Sequence, residues 1–233
     1  CRTLAAVGAR VAILDVNLDA AEKLAAEIRE SGDHAIGLAC NVLDKISLEE
    51  AALKVVAAFG KVDILINGAG GNKAQATTSA DMSFFDLPAD AIRWVFELNI
   101  LGTILSSQVF GKLMAQQGHG VIMNISSMNS YRPLTKIAAY SAAKASVNNL
   151  TQWLAVHFSK TGIRVNAIAP GFLLTNQNRF LLVDEKTGES TPRGRKIINN
   201  TPMERYGTAE ELTGTLLYLA SDLSRFVTGV VIP

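Results

Sequence analysis

The sequence predicts an α/β fold: a single doubly wound parallel sheet, truncated at both ends. Three observations predict it. Short apolar runs alternate with segments whose apolar residues recur at helical spacing. The runs are apolar throughout rather than alternating with polar residues, as in strands buried on both faces. The chain has 233 residues, of which 48% are hydrophobic, and this suits one domain with a full core.

Taken in order, residues 3–7 read as the end of a helix. Residues 11–14 are an apolar run closed by Asp15 and read as a buried strand. Leu18–Glu30 reads as a helix stopped by Ser31 and Gly32. Residues 34–39 read as a strand and 47–59 as a helix behind Ser47 as N-cap. The strand over 62–66 runs into Asn67-Gly-Ala-Gly70, and a polar loop covers about 72–88. A long helix is expected over 89–117, a strand over 120–125, and a second long helix over 138–160. The strand over 163–168 runs into Pro170 and Gly171. The stretch 175–207 is polar without strong periodicity, and a helix over 209–221 leads to a strand over 229–232. The chain opens at Cys1 and stops at Pro233 in an apolar run, so a strand is expected before residue 1.

Composition excludes several classes. The net charge is +1 with no long basic stripe, which argues against nucleic acid or an anionic membrane as partner. Arg193, Arg195 and Lys196 form the one basic cluster. A solvated loop is the plain reading, and contact with an anionic substrate is the alternative. Cys1 and Cys40 form no framework, and His34, His119 and His157 lack metal-ligand spacing, so no metal site is expected. No apolar run approaches the ~18 residues of a membrane span, and there is no signal peptide. A cytoplasmic protein is expected.

In parallel sheets, ligands bind beyond the carboxyl ends of the strands, so the residues there carry the functional reading. Asp15 could accept both hydroxyls of an adenosine ribose, and Val16 and Asn17 beside it offer no cation for a 2′-phosphate. NAD is therefore favoured over NADP, while a helix N-cap or turn aspartate remains the other reading. Asn41 and Val42 follow the next strand, where Asn41 could bond an adenine edge. Asn67, Gly68, Ala69 and Gly70 would let a dinucleotide backbone approach closely. Pro170 and Gly171 would aim the chain across the nicotinamide end, where Thr175 could bond the cofactor. A Gly-rich first turn should precede all of these and is not in the sequence.

Tyr140-Ser-Ala-Ala-Lys144 places a phenol and an ammonium one turn apart on one helical face. The ammonium should lower the phenol's pKa and ready it for general acid/base work. Ser127 ends the preceding strand and could bond a substrate oxygen. Asn99, set among apolar neighbours, should be buried and need partners, and a water linking it to Lys144 would supply one.

These pieces together resemble the short-chain dehydrogenase/reductase family. The matching residues are Asp15, Asn67-Gly-Ala-Gly70, Asn99-Ile-Leu-Gly102, Ile125-Ser-Ser127, Tyr140-Ser-Ala-Ala-Lys144, Arg164-Val-Asn-Ala-Ile-Ala-Pro-Gly171 and Thr228-Gly229. The resemblance implies a Rossmann-type fold, with residues 1–233 as one dinucleotide-binding and catalytic domain. It implies Tyr140 as acid/base, Ser127 rather than Ser126 as the substrate-orienting serine, Lys144 on the nicotinamide ribose, and Asn99 holding a relay water. Asn41 stands where the family usually has Asp. Pairing of the two long helices between subunits, and hence a homotetramer, is also implied.

Within the family, Asn67-Gly-Ala-Gly-Gly-Asn72, Phe84-Phe-Asp-Leu87, Asn129-Ser-Tyr-Arg-Pro-Leu134, the run 170–180 and Thr191-Pro-Arg-Gly-Arg-Lys196 resemble the D-mannonate oxidoreductase (fructuronate reductase) branch. A sugar acid needs a cation for its carboxylate and amides for its hydroxyls. Asn72, Asn129, Arg132, Asn176 and Arg179 are the candidates, with Arg179 first for the carboxylate and Arg132 second. Another polyol, gluconate/ketogluconate or a 3-oxoacyl thioester is the rival substrate, and a catalytically silent NAD(H) sensor is the rival of another class.

Overall fold

The computed structural model describes every residue except Asn176, Gln177 and Lys186. After the short helix α1 (Arg2–Ala5) come β1 (Val11–Asp15), α2 (Leu18–Glu30), β2 (Ala35–Ala39), α3 (Lys45–Phe59) and β3 (Ile64–Asn67). Then follow α4 (Ala89–Phe96), a π-helical segment (Glu97–Leu101), α5 (Gly102–Gln117), β4 (Gly120–Ile125), α6 (Ala138–His157) and β5 (Ile163–Ile168). The chain finishes with α7 (Arg179–Leu182), α8 (Pro192–Asn199), α9 (Thr213–Ala220) and β6 (Val231–Ile232).

Every strand pairing is parallel. The layer is single, but its hydrogen bonding is not. β1 pairs with β2, and β3, β4, β5 and β6 form a second ladder in that order. Two apolar clusters bridge the ladders. On one face, Ala12 and Leu14 of β1 share a cluster with Leu65 of β3, Ile122 of β4 and Val165 of β5, under α3, α5 and α6. On the other, Val11 and Ile13 of β1 pack with Ile66 of β3 and with α2 and α9. Helices therefore cover both faces, as doubly wound sheets require. Leu48, Met114 and Ile122 have at most 1% exposure, and each such side chain contributes about 1.5–3 kcal/mol by leaving water.

Several boundaries differ from the sequence reading for local reasons. Asp44, not Ser47, caps α3, its carboxylate accepting from the Ile46 N–H. Ser47 Oγ instead accepts from the Asn41 N–H at 3.0 Å. Asn17 caps α2 through Ala20, so Asp15 is not the cap there. The expected helix over 89–117 is interrupted by the π-helical turn, and α6 ends at His157 rather than 160. Arg193, Arg195 and Lys196 lie on α8, not in a loop, because Thr191 accepts from the Gly194 N–H and Pro192 opens the helix. No helix among the described residues is long and apolar enough to cross a membrane.

Beneath the sheet's carboxyl edge runs a buried polar chain. Asn67 Nδ2 donates to Ser107 Oγ at 3.1 Å and to Asn124 Oδ1 at 2.9 Å. Asn124 Nδ2 donates to Thr151 Oγ1 at 2.9 Å, and Thr151 donates to Val147 O. The chain ties β3 and β4 to α5 and α6. Asn124 and Thr151 have 0% exposure, so a lost partner leaves a dry, unsatisfied amide. Thr151→Val, nearly the same size, should therefore cost about 1–3 kcal/mol, measured as a lower urea midpoint. An unchanged midpoint would show that the chain carries no stability.

Candidate active site

The carboxyl ends of the strands gather most of the expected residues along one edge. Asp15 closes β1 with an exposed side chain, and its Oδ1 accepts from the Asn17 N–H at 2.9 Å. Asn41 and Val42 follow β2. Asn41 Oδ1 accepts from the Leu43 N–H at 3.0 Å, which fixes its oxygen in a tight turn. Val42 turns inward against Gly102, where an added Cβ would lie 2.8 Å from Val42 Cγ2. Asn67 also differs from its expected role. Its amide is committed to the buried chain, leaving only backbone to face a ligand.

Gly68, Ala69 and Gly70 are exposed. Space is open around Gly68, whereas Gly70 is a close approach. A Cβ there would stand 2.7 Å from Asn99 Oδ1 and 3.1 Å from Lys144 Nζ.

Asn99 lies on the π-helical turn with 0% exposure. Its Oδ1 accepts from the Gly71 N–H at 3.1 Å, and its Nδ2 donates to Gly71 O at 2.7 Å and to Val95 O at 2.8 Å. The expected burial and need for partners are both present. The partners are backbone groups, however, and both Nδ2 hydrogens are spent on them. The side chain thus pins the turn after β3 to the helix. Such π-helical turns recur at functional sites because the extra residue turns a side chain inward.

Lys144 has 5% exposure on α6, and its Nζ donates to Ile125 O at 2.7 Å. Burial holds its pKa down to about 8. Nζ stands 5.7 Å from the centre of the Tyr140 ring. The phenol behaves otherwise than expected. Burial pushes the Tyr140 pKa up, and a side-chain hydrogen bond with Ser127 partly opposes that shift. Lys144, itself buried, does not offset that rise, and the phenol's net shift is upward. Ser127 Oγ accepts from the Asn129 N–H at 3.2 Å, which leaves its own proton to donate.

A cleft of about 50 Å³ opens beside Ser127, lined by Met128, Asn129, Pro170, Gly171 and Phe172. Met128 N–H donates to Pro170 O at 3.0 Å and holds the two strand-end loops together. Thr175 is half-buried, its N–H held by Asn178 Oδ1 at 2.9 Å. Of the polar candidates, Asn129 is half-buried at the cleft, and Asn72 is exposed with its Nδ2 on Thr77 Oγ1 at 2.8 Å. Arg132 and Arg179 are exposed. Asn176 lies outside the described residues. Among the described residues, no group of three or more His, Cys, Asp or Glu could hold a metal.

Sequence reading missed Lys73, a half-buried ammonium 5.3 Å from the centre of the Trp94 ring. It also missed Ser130 and Asn148. The signal for Asn148 was present: it continues the four-residue step of Tyr140 and Lys144 along one helical face.

Comparison with known proteins agrees with this geometry. A family model described as enoyl-(acyl carrier protein) reductase matches residues 1–233. The Bacillus subtilis protein named as the uncharacterized oxidoreductase UxuB is 48% identical, over 100% of this chain and 86% of its own. A Haemophilus influenza crystal structure with bound NAD, provisionally named a D-mannonate oxidoreductase, is 50% identical with a TM-score of 0.92, over 100% of this chain and 86% of that one. A Burkholderia cenocepacia gluconate 5-dehydrogenase in complex with NADP and tartrate is 31% identical with a TM-score of 0.87, over 99% and 86% of the two chains. With the fold, the ordered motifs and the full-length family match in agreement, the chain belongs to the short-chain dehydrogenase/reductase family of oxidoreductases.

Proposed function

We propose that this chain is an NAD-dependent oxidoreductase that interconverts a secondary alcohol and a ketone on a sugar acid, with D-mannonate and D-fructuronate as the pair. One observation carries the reading. Ser127, Tyr140 and Lys144 converge at the strand ends, with Ser127 near enough to the phenol to oppose part of its pKa rise and Lys144 Nζ against the Gly70 turn.

The residues fit a nicotinamide dinucleotide. Gly70 leaves no side chain between that turn and Lys144, and Gly68 is open. Asp15 ends β1 as an exposed carboxylate with no cation in Val16 or Asn17, which supports NAD over NADP. Asn41, Val42 and the backbone of Asn67, Gly68, Ala69 and Gly70 would line the adenine and phosphate side. Tyr140, Lys144, Pro170, Gly171 and Thr175 would line the nicotinamide side. A bound nicotinamide cofactor would supply or take the hydride and, when oxidised, would add a positive charge to the site.

The chain's own groups handle the proton. Because burial keeps the Tyr140 phenol protonated, it serves naturally as the acid that gives its proton to a ketone oxygen during reduction. In the reverse direction, the phenolate oxygen takes the alcohol proton. The Ser127 hydroxyl donates to the same substrate oxygen and fixes its place. Lys144, charged below about pH 8, would hold ribose hydroxyls and favour the phenolate once nearby charge is added. Asn99 shapes the pocket through Gly71 and would hold a relay water on the acceptor capacity it has left.

For the carboxylate, Arg179 and Arg132 are exposed and make no ion pair among the described residues. Asn72, Asn129 and Asn176 are the candidates for the hydroxyls. The gluconate 5-dehydrogenase relative acts on a sugar acid and was crystallised with the hydroxy diacid tartrate, which supports an anionic substrate class. One domain carries both cofactor and substrate. In this reading the protein is a cytoplasmic homotetramer. Its free cysteines suit a reducing compartment, and the exposed Trp153 and Val156 of α6 suit a helix pairing between subunits.

The test is NADH and NADPH consumption with D-fructuronate, beside 5-ketogluconate and an acetoacetyl thioester. Oxidation of NADH with D-fructuronate alone is expected. Turnover of another ketone instead would keep the mechanism and discard the sugar acid. Tyr140→Phe should lose roughly 10²–10⁴-fold in kcat with little change in NADH affinity, and wild-type rates in that variant would overturn the acid/base assignment.

Lys144 also makes a stability prediction. Its folded pKa of about 8 lies below the ordinary 10.5. Below pH 8 the ammonium is charged in both states, and its burial penalty is present in full. Between pH 8 and 10.5 the unfolded chain binds more protons, so stability rises with pH. Lys144→Met should therefore stabilise the ligand-free protein by roughly 1–3 kcal/mol at pH 7 while abolishing turnover. Thermal midpoints at pH 7 and pH 10 check this, since an equal gain at both would acquit the ammonium.

A further inference from the structure

We propose that Asn148 is the positioning residue for Ser127, its amide clamping the loop 126–130 onto the reactive face of α6. The inference rests on the reading of Ser127 as the serine that orients the substrate oxygen.

Tyr140, Lys144 and Asn148 follow at four-residue steps, so all three line one face of α6. The first two face the reacting centre. Asn148, half-buried, spends both ends of its amide on the loop that carries Ser127. Its Oδ1 accepts from Ser126 Oγ, and its Nδ2 donates to Ser130 Oγ at 2.8 Å. Lys144 O, 3.2 Å from Ser126 Oγ, is the alternative acceptor for the same hydroxyl hydrogen. Ser130 Oγ passes its hydrogen to Ser127 O at 2.6 Å, and the Ser130 N–H reaches the same carbonyl at 2.9 Å.

The amide therefore grips the residue before Ser127 and, through Ser130, the carbonyl of Ser127 itself. The polarity of the bonds is consistent along the chain: amide hydrogen to hydroxyl, hydroxyl hydrogen to carbonyl. The Ser127 hydroxyl is the one group in this loop that must meet both the phenol and a substrate oxygen within hydrogen-bond distance. A shift of about 1 Å is enough to lose such alignment. An asparagine needed only for helix solubility would face water. This one is set where it transmits the position of α6, and so of Tyr140, to Ser127.

The test uses the full chain and whichever of D-fructuronate, 5-ketogluconate or an acetoacetyl thioester the wild type reduces. Asn148→Ala should lower kcat about tenfold or more while NADH affinity, read by fluorescence, holds within about twofold. In a Ser127→Ala background the same substitution should cost almost nothing further, because the group it positions is gone. Asn148→Asp keeps the acceptor for Ser126 but cannot donate to Ser130, and should fall between the wild type and Asn148→Ala. Hydrogen exchange supplies a readout without turnover: amides of residues 128–131 should exchange at least about tenfold faster in Asn148→Ala, with α6 still protected. Unchanged exchange, full kcat in Asn148→Ala, or the same fold-loss with and without the Ser127 hydroxyl would each overturn the clamp. The site reading fails by a different result, namely wild-type turnover in Tyr140→Phe.

Discussion

One buried amide sets the geometry on which the rest of the site depends. Asn99 holds both the N–H and the carbonyl of Gly71, as a neighbouring strand would. That fixes the turn after β3, and with it Gly70, against which Lys144 Nζ comes to rest. Lys144 in turn is one helical step from Tyr140. These hydrogen bonds thus order three elements: a strand end, a π-helical turn and the first turns of α6. Their strength comes from the dryness of the Asn99 amide. With 0% exposure it has no water to replace a lost partner, and leaving it unsatisfied costs about 1–3 kcal/mol.

The electrostatics follow from the same compactness. Packing Lys144 under the turn removes it from water and weakens its hold on a proton, while burial strengthens that of Tyr140. Ordinarily close in proton affinity, the two groups are driven apart, the ammonium downward and the phenol upward. In the free chain the phenol therefore keeps its proton.

Much of this was legible in the sequence. The order of strands and helices follows from periodicity, because parallel strands buried on both faces leave an unmistakable apolar run. Ser127, Tyr140 and Lys144 could be placed because each stands at a strand end or at helical spacing from another, and Asn99 because it is a polar residue among apolar neighbours. What the sequence concealed were the choices between equivalent polar groups. Asn67 could face a ligand or the core, and only the positions of Ser107 and Asn124 decide for the core. Asp44 and Ser47 could each cap α3, and the backbone at Asp44 decides. Spacing put Lys144 beside the phenol, but it could not show that burial would prevail and carry the phenol's pKa upward. Asn41 and Val42 stand at the expected strand end, yet they serve a turn and a packing contact.

The π-helical turn makes the site sensitive to length rather than to composition. Between Glu97 and Leu101 the helix holds one residue more than an α-helix would for the same rise. A substitution there leaves the phase of the helix alone. Loss of a single residue would close the bulge and restore regular α-helix with α4 and α5 in nearly the same phase, because the wide turn takes up the extra residue where it stands. Both helices would keep their apolar faces on the core, but the inward carry that puts the Asn99 amide on Gly71 would be lost. The segment therefore acts as a local offset between two packed helices, and a change in its length reaches the turn after β3 without unpacking either of them.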